Sequence, residues 1–253
     1  MSGWMDKIFI YSFGKILILQ MILWKTSGME ERKNYRWITV ISVFFVAVLM
    51  ISNIASTKIL DLWIFTLDWW TLVFPLSYIF GDILTEVYGY KQSRRIIWMG
   101  FWALLLMMVT IMVVGWLPAA QDWKYQMDYQ HILGMTPRIV IASLIAYMVG
   151  EFSNSFILAK LKIQMQGKKL RVRTIWSTLV GEFFDTGIFI MIAFYGVLGN
   201  DIIIPLMLSN YIFKVGVEIV CTPLTYLITN ALKKIEHEDY YDYTTNFNPL
   251  KIT

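Results

Sequence analysis

Long apolar runs separated by short charged turns dominate the chain. The runs are read at Trp37 to Thr57, Trp70 to Tyr88, Ile96 to Leu117, Arg138 to Leu161, Thr174 to Leu198 and Ile202 to Leu232. Each is close to the roughly 20 residues that an α-helix needs to cross the hydrocarbon layer of a bilayer. The pattern therefore predicts an all-α integral membrane protein with six transmembrane helices. Lys91, Arg94 and Arg95 follow the second run, and Lys160, Lys162, Lys168, Lys169, Arg171 and Arg173 follow the fourth. Arg32, Lys33 and Arg36 precede the first run and Lys233 and Lys234 follow the last, whereas the alternate loops carry Asp61, Asp68, Asp122, Asp128 and Asp201. Lys and Arg accumulate on the cytoplasmic side of a membrane, so both termini are expected inside.

Three segments are expected: residues 1–36 as an N-terminal cytoplasmic or interfacial stretch, 37–234 as the six-helix membrane domain, and 235–253 as a polar cytoplasmic tail. Ile8 to Trp24 is apolar but interrupted by Gly14, Lys15 and Gln20, which favours an interfacial helix over a span. Met29, opening "MEERKNYRW", is an alternative start. The tail "EHEDYYDYTTNFNPLK" is polar and acidic, which predicts a short extension of the last helix followed by disorder.

Composition agrees with a membrane setting: 57% of residues are hydrophobic and the mean hydropathy is +0.56. The net charge of +4 could suggest nucleic acid, but the basic residues sit in short clusters between apolar runs, where they set topology. Cys221 is the single cysteine, so a disulfide framework and a cysteine metal site are excluded. His131 falls in a loop and His237 in the tail, a poor basis for a membrane metal centre.

Against this apolar background the acids stand out. "FGDILTEVYGYKQSRR" puts Asp82 and Glu86 on one helical face with Tyr78, and Gly89 is expected to end that helix. "GEFSN" gives Glu151 and Asn154, "GEFFD" gives Glu182 and Asp185, and "KVGVE" gives Lys214 and Glu218. Six of the 18 acidic residues thus fall within apolar runs. Each would cost about 2.5–3.5 kcal/mol at the bilayer centre even on the lenient insertion scale, so they must face one another or a wet cavity. Purely structural readings exist for some: Lys214 and Glu218 can neutralise each other along their helix, and Asn53, beside Ser52, can serve as packing glue. Gly81, Gly150 and Gly181, each immediately before an acid, are expected to let helices approach closely.

"SNIASTK" in the first run echoes "SNSFILAK" in the fourth, and "GDILTE" echoes "GEFFDT". An inverted three-plus-three repeat would place a binding site near the membrane midplane. Carboxylates and amides beside aromatic residues such as Tyr78, Phe152, Phe183, Phe184 and Tyr211 suit a flat, hydrogen-bonding heterocycle, while the same acids could hold protons or a simple cation. A guanine-like edge offers adjacent N–H donors that one carboxylate can accept together.

The segments "FPLSYIFGDILTEVYGYKQSRR", "STLVGEFFDTGIFIMIAF" and "NYIFKVGVEIVCTPLTYLITNALKK" resemble the queuosine precursor transporter family, over about Trp37 to Lys234. The resemblance implies an importer in the prokaryotic inner membrane for deazaguanine bases, such as 7-cyano-7-deazaguanine or 7-aminomethyl-7-deazaguanine, salvaged for a modified transfer-RNA nucleoside. It also implies a fold similar to the substrate-binding components of energy-coupling-factor importers, working without an ATPase module and without a cofactor. On the family pattern, Asp82, Glu86, Asp185, Lys214 and Glu218 are substrate-site residues. Glu182 departs from it, since an amide is common there, and a carboxylate would change substrate preference or proton coupling. The expected site is Asn53, Tyr78, Asp82, Glu86, Glu151, Asn154, Glu182, Asp185, Lys214 and Glu218, with transport either coupled to a proton that one carboxylate releases inward with substrate, or running as uniport with metabolic trapping. The alternatives are a carrier of another small heterocycle or vitamin, or a membrane aspartyl protease using Asp82 and Asp185. "YIFGD", however, lacks the second upstream glycine of a G-x-G-D motif.

Overall fold

The computed structural model describes residues 35–55, 59–62, 65–134, 137–197 and 199–251. The chain divides into Met1–Arg36 and Trp37–Thr253, and only residues 35 and 36 of the first unit are described. The interfacial helix expected at Ile8 to Trp24 lies outside the described residues.

The second unit is helical. Its elements are α1 (Ile38–Ala55), a two-stranded hairpin of β1 (Ile59–Leu62) and β2 (Phe65–Asp68), α2 (Trp69–Tyr88), α3 (Tyr90–Trp116), α4 (Gln126–Leu133), α5 (Pro137–Gln164), α6 (Leu170–Phe194) and α7 (Asn200–Glu236). The hairpin is antiparallel, with Ile59 opposite Asp68 and Leu62 opposite Phe65. Five described stretches are long and apolar enough to cross a membrane: Ile38–Ala55, Tyr90–Trp116, Gln126–Gln164, Leu170–Phe194 and Asp201–Glu236. The remaining expected span, Trp70 to Tyr88, coincides with the 20-residue α2, which carries Asp82 and Glu86. The last helix outruns its expectation. At 37 residues it is about 55 Å long, well beyond the roughly 30 Å of a hydrocarbon core, and Pro205 and Pro223 lie inside it.

Helices α2, α5, α6 and α7 form a ring in which each packs against the next, while α1 packs on α2, and α3 on α5, α2 and α1. Burial is inverted relative to a water-soluble bundle. Large apolar side chains such as Phe44, Leu106, Val220 and Leu227 face outward, and Asp82, Glu86, Glu151, Asn154, Glu182 and Arg173 are buried. That is the distribution expected when lipid is the outer solvent and polar groups must find partners inside. Gly150 and Gly181 set the α5–α6 approach. A Cβ on Gly150 would lie 3.2 Å from the Gly181 carbonyl oxygen, and one on Gly181 would lie 3.1 Å from the Gly150 oxygen. Only glycines allow backbones this close, as the small residues before the acids predict.

The tail is ordered, contrary to the disorder its composition suggests. After α7 it runs as a strap across the end of the bundle where α2 gives way to α3. Tyr240 donates its backbone N–H to the Val87 carbonyl at 3.2 Å. The Asp242 carboxylate accepts the Tyr90 N–H at 3.0 Å and so supplies an anion at the start of α3. Arg94 donates to the Asn246 and Asn248 carbonyls at 2.7 and 2.8 Å, Trp98 donates to the Pro249 carbonyl at 2.9 Å, and the Lys160 ammonium sits 4.1 Å above the Phe247 ring. Gly89, at φ +82°, makes the α2–α3 turn, and a side chain there would collide with the Tyr240 ring as well as strain the backbone. Composition read one segment alone; the strap is held by charges and donors on α3 and α5 that only the fold brings to it.

Asp239 stitches the strap down, bonding Lys233 at 2.8 Å and also Lys162. Burial works to raise the proton affinity of its carboxyl, but the hydrogen bonds from Lys162 and Lys233 outweigh this and hold it below its ordinary value. A carboxyl whose folded pKa is depressed contributes stability above its unfolded pKa and loses it as the pH falls through the folded value. The strap is therefore expected to loosen on acidification below about pH 4, the ordinary carboxylate range. Hydrogen exchange over residues 238–249 checks this. The acid step should vanish in Asp239→Asn, because the carboxyl of Asp242 is shifted the other way by burial.

Candidate functional site

The ring helices place their acids in two groups, one helical turn apart on α2. At the level of Asp82 lies the larger group. Asn154 on α5 donates its amide to Asp82 at 2.8 Å. Lys214 on α7 reaches across to α6, 2.7 Å from Asp185 and 3.2 Å from Glu182. Thr178 on α6 donates its hydroxyl to Glu218 on α7. Glu151 lies within Coulombic range of Asp82, Asp185 and Glu182, and Glu218 within range of Asp82, Glu182 and Glu151. Tyr78 closes the group from α2, its hydroxyl 2.7 Å from where a Gly150 side chain would begin. Every one of these residues is 4% exposed or less, so the group is buried inside the helices.

Charge and hydrogen bonding are both unbalanced here. Five carboxylates (Asp82, Glu151, Glu182, Asp185 and Glu218) face one cation, Lys214, among the described residues. Arg173 acts on Asp82 from a distance, but its guanidinium is committed elsewhere. The buried carboxylate and amide oxygens of this group without a hydrogen-bond partner among the described residues are Asp82 Oδ2, both oxygens of Glu151, Asn154 Oδ1, Glu182 Oε1 and Glu218 Oε2. Leaving a buried polar atom unmet costs about 1–3 kcal/mol, more when it is charged. An arrangement with six unmet acceptors around one level is built to receive donors.

The second group is centred on Glu86, which the sequence places with Asp82 on one helical face. Arg173 of α6 grips both carboxylate oxygens, one bond measuring 3.1 Å, and Lys233 of α7 donates to Oε1 at 2.6 Å. Lys162 of α5 lies 3.6 Å from the same oxygen and donates to the Glu86 backbone carbonyl at 2.6 Å and to that of Tyr240 at 2.7 Å. Arg173 also donates to the Lys168 and Gly167 carbonyls at 3.0 Å each. Glu86 is saturated, and its role is to tie four helical segments and the strap together below the larger group.

Two further expectations change. The ion pairs Lys214 makes among the described residues run to α6, so the self-neutralising Lys214–Glu218 pair along one helix is replaced by a bridge between helices. Phe183 and Phe184, read as possible stacking partners, are 63% and 39% exposed and face outward, and Phe152 packs against Trp98. Tyr78 is the aromatic residue inside the group, while Tyr211 caps its edge by donating to the Leu179 carbonyl at 3.0 Å. The amide of Asn53 is buried and donates to the Leu49 carbonyl of its own helix at 2.8 Å. Asp82 and Asp185 hold separate partners, Asn154 and Lys214, and do not form the facing pair that an aspartyl protease uses. The roles of Thr178 and Arg173 were missed in the sequence; Thr178 carries no signal there, and Arg173 reads as one more topology-setting charge.

Apolar-faced helices of spanning length around buried polar groups are the build of a multi-pass membrane protein. The family described as "Putative vitamin uptake transporter" matches residues 68–228, and the chain belongs to it. It is similar to a "Probable queuosine precursor transporter" of Bacillus subtilis (strain 168), 28% identical over 192 residues that cover 74% of this chain and 81% of the relative. A protein of the same description from Haemophilus influenzae Rd is 29% identical over 127 residues, 50% of this chain and 52% of the relative. No solved structure is significantly similar to the chain. The family makes this a transporter and not an enzyme.

Proposed function

We propose that the chain imports deazaguanine bases that are precursors of queuosine across the prokaryotic inner membrane. In this reading α2 is the sixth span, both termini are cytoplasmic, and the protein works without an ATPase module or a cofactor. The observation that carries the reading is the set of unmet acceptors at the level of Asp82. A base with a guanine edge offers adjacent N–H donors, and Glu151 is the carboxylate whose two oxygens are both open to take such a pair. Asn154 holds Asp82 in place, Tyr78 covers the base, and Lys214 keeps Asp185 and Glu182 on the far wall. Import follows from alternating exposure of this level to the two sides, with the Glu86 group closing the strap side in the occluded state. An inverted three-plus-three repeat would pair Gly81 with Gly181, each immediately before an acid. A carrier of another donor-rich heterocycle or vitamin uses the same acceptors, and competition by unlabelled compounds separates the two.

The test is uptake of radiolabelled deazaguanine by cells that cannot synthesise it, comparing the protein, Asp82→Ala and an empty vector at matched membrane levels. Saturable uptake is expected for the protein and a loss of at least about tenfold for the variant, the equivalent of one charge-assisted hydrogen bond. Undiminished uptake by Asp82→Ala removes Asp82 from the site, and no uptake by the protein rejects the substrate.

A further inference from the structure

We propose that residues 238–245 of the strap are a gate over one end of the bundle, and that Asp239 is the latch that holds it shut. The inference rests on the alternating exposure of the proposed function and adds the moving part and the residue that controls it. Beneath the strap each ring helix sends one charged group to a single layer: Glu86 from α2, Lys162 from α5, Arg173 from α6 and Lys233 from α7. Glu86, Lys162 and Arg173 are 1% exposed or less. Asp82 stands one turn deeper on α2, so a molecule leaving its level toward this end crosses the layer and then the strap.

Two of these charges are shared with the strap. Lys162 lies 3.6 Å from Glu86 Oε1 and 2.5 Å from Asp239, and Lys233 lies 2.6 Å from the same glutamate oxygen and 2.8 Å from Asp239. Each ammonium is thus held from both sides. When the strap lifts, both keep Glu86, and the Asp239 side chain, already 42% exposed, passes to water. The strap can therefore leave without stranding a buried charge, which is what a repeatable opening requires. The two ends of the moving segment are fixed independently of the layer. One is the end of α7 at His237, and the other is held by Arg94 on the Asn246 and Asn248 carbonyls and by the Phe247 ring, 5.0 Å from that of Tyr90. Between them the segment is tied down by backbone bonds at Tyr240, by Asp242 on the Tyr90 N–H, and by Asp239, whose carboxylate is the link to the charges of the layer.

The experiment reads water access behind the layer and needs no substrate. Ser177 is the reporter position: it follows Arg173 by one turn on the same face of α6 and is fully buried. With the native Cys221 replaced by alanine, Ser177→Cys is treated in nanodiscs with a small charged thiol reagent, with and without Asp239→Asn. Ile190→Cys, buried near the far end of α6, is the control. Labelling at position 177 is expected to be slow with the latch intact and about tenfold or more faster in Asp239→Asn, the equivalent of one charge-assisted hydrogen bond, with no change at position 190. Asp239→Glu, which keeps the carboxylate, should restore slow labelling. Unchanged labelling at 177 in Asp239→Asn overturns the gate. Equal acceleration at 177 and 190 overturns it as well, because Asp239 then stabilises the bundle as a whole. Should Asp239→Asn fail to fold, hydrogen exchange of the unaltered chain decides: the Tyr240 amide must exchange well ahead of the amides around Ser177, and exchange of both only together overturns the proposal. The outcome is separate from that of the uptake assay, since a protein that takes up no deazaguanine yet shows the labelling pattern loses the proposed substrate and keeps the gate.

Discussion

Replacing Glu86 with alanine is expected to destabilise the fold by about 3–5 kcal/mol, the cost of stripping a buried ion pair of one partner. The reason is the company Glu86 keeps. Arg173 is fully buried and Lys162 is 1% exposed, and both come with Lys233 to the one carboxylate. Without it, three cations are left crowded in a space sealed by the strap. Asp239, which holds Lys162 and Lys233 from the outer side, is half-exposed and does not reach Arg173 with any bond among the described residues. Thermal unfolding of the purified protein in detergent checks the prediction, and an unchanged transition would show that the cations find other partners. Glu86→Gln should be intermediate, since it keeps an acceptor for Arg173 while losing the charge. Both variants should also free the strap, visible as faster exchange at the Tyr240 amide, which bonds Val87 one residue beyond Glu86.

Asp82 and Glu86 show where helical spacing stops informing, since one is held by Asn154 and the other by Arg173 and Lys233. Asp82 and Glu86 are four apart and share a face, as the sequence predicts, but a turn of helix separates them by about 6 Å along its axis. Which helix supplies a cation at which level is a matter of tertiary packing, and Arg173, Lys162 and Lys233 looked in the sequence like loop charges that orient the chain. The legible part was the part that repeats locally: apolar runs of spanning length, acids at helical intervals, and glycines preceding them where backbones meet. Asp82, Glu151, Asn154, Glu182, Asp185, Lys214 and Glu218 were all marked by those signals, and the fold buries all of them among α2, α5, α6 and α7. The strap escaped because its residues are attractive only to what lies opposite. Asp239, Asp242 and the tyrosines look like disorder until Lys162, Lys233, Tyr90 and Gly89 are put beside them. The hairpin of β1 and β2 and the short α4 escaped for a different reason, since both occupy links too short to show a period.

On the proposed function, replacing Lys214 should abolish transport and cost as much stability as the Glu86 change. Lys214→Met leaves Asp185 and Glu182 unpaired at 3% and 0% exposure, in a group that then holds five carboxylates and no cation among the described residues. The expected cost is again about 3–5 kcal/mol, with low recovery of folded protein from the membrane and no measurable uptake. Low recovery alone would not separate a structural lysine from a functional one, so the decisive variant neutralises its partners as well. Combining Lys214→Met with Asp185→Asn and Glu182→Gln removes the stranded charges while keeping shape, and replacing a buried ionic group in this way is often close to neutral for stability. Folded protein is expected to return. Uptake is not, because Asp185, Glu182 and Lys214 together form the polarised wall opposite Asp82 and Glu151, and amides in their place hold neither its charge nor its hydrogen-bonding pattern. Restored uptake in the triple variant would reduce the three residues to helix-packing groups and confine the ligand to Asp82, Glu151, Asn154 and Glu218. A single Lys214→Met protein that folds and transports normally would refute the charge argument for the whole level.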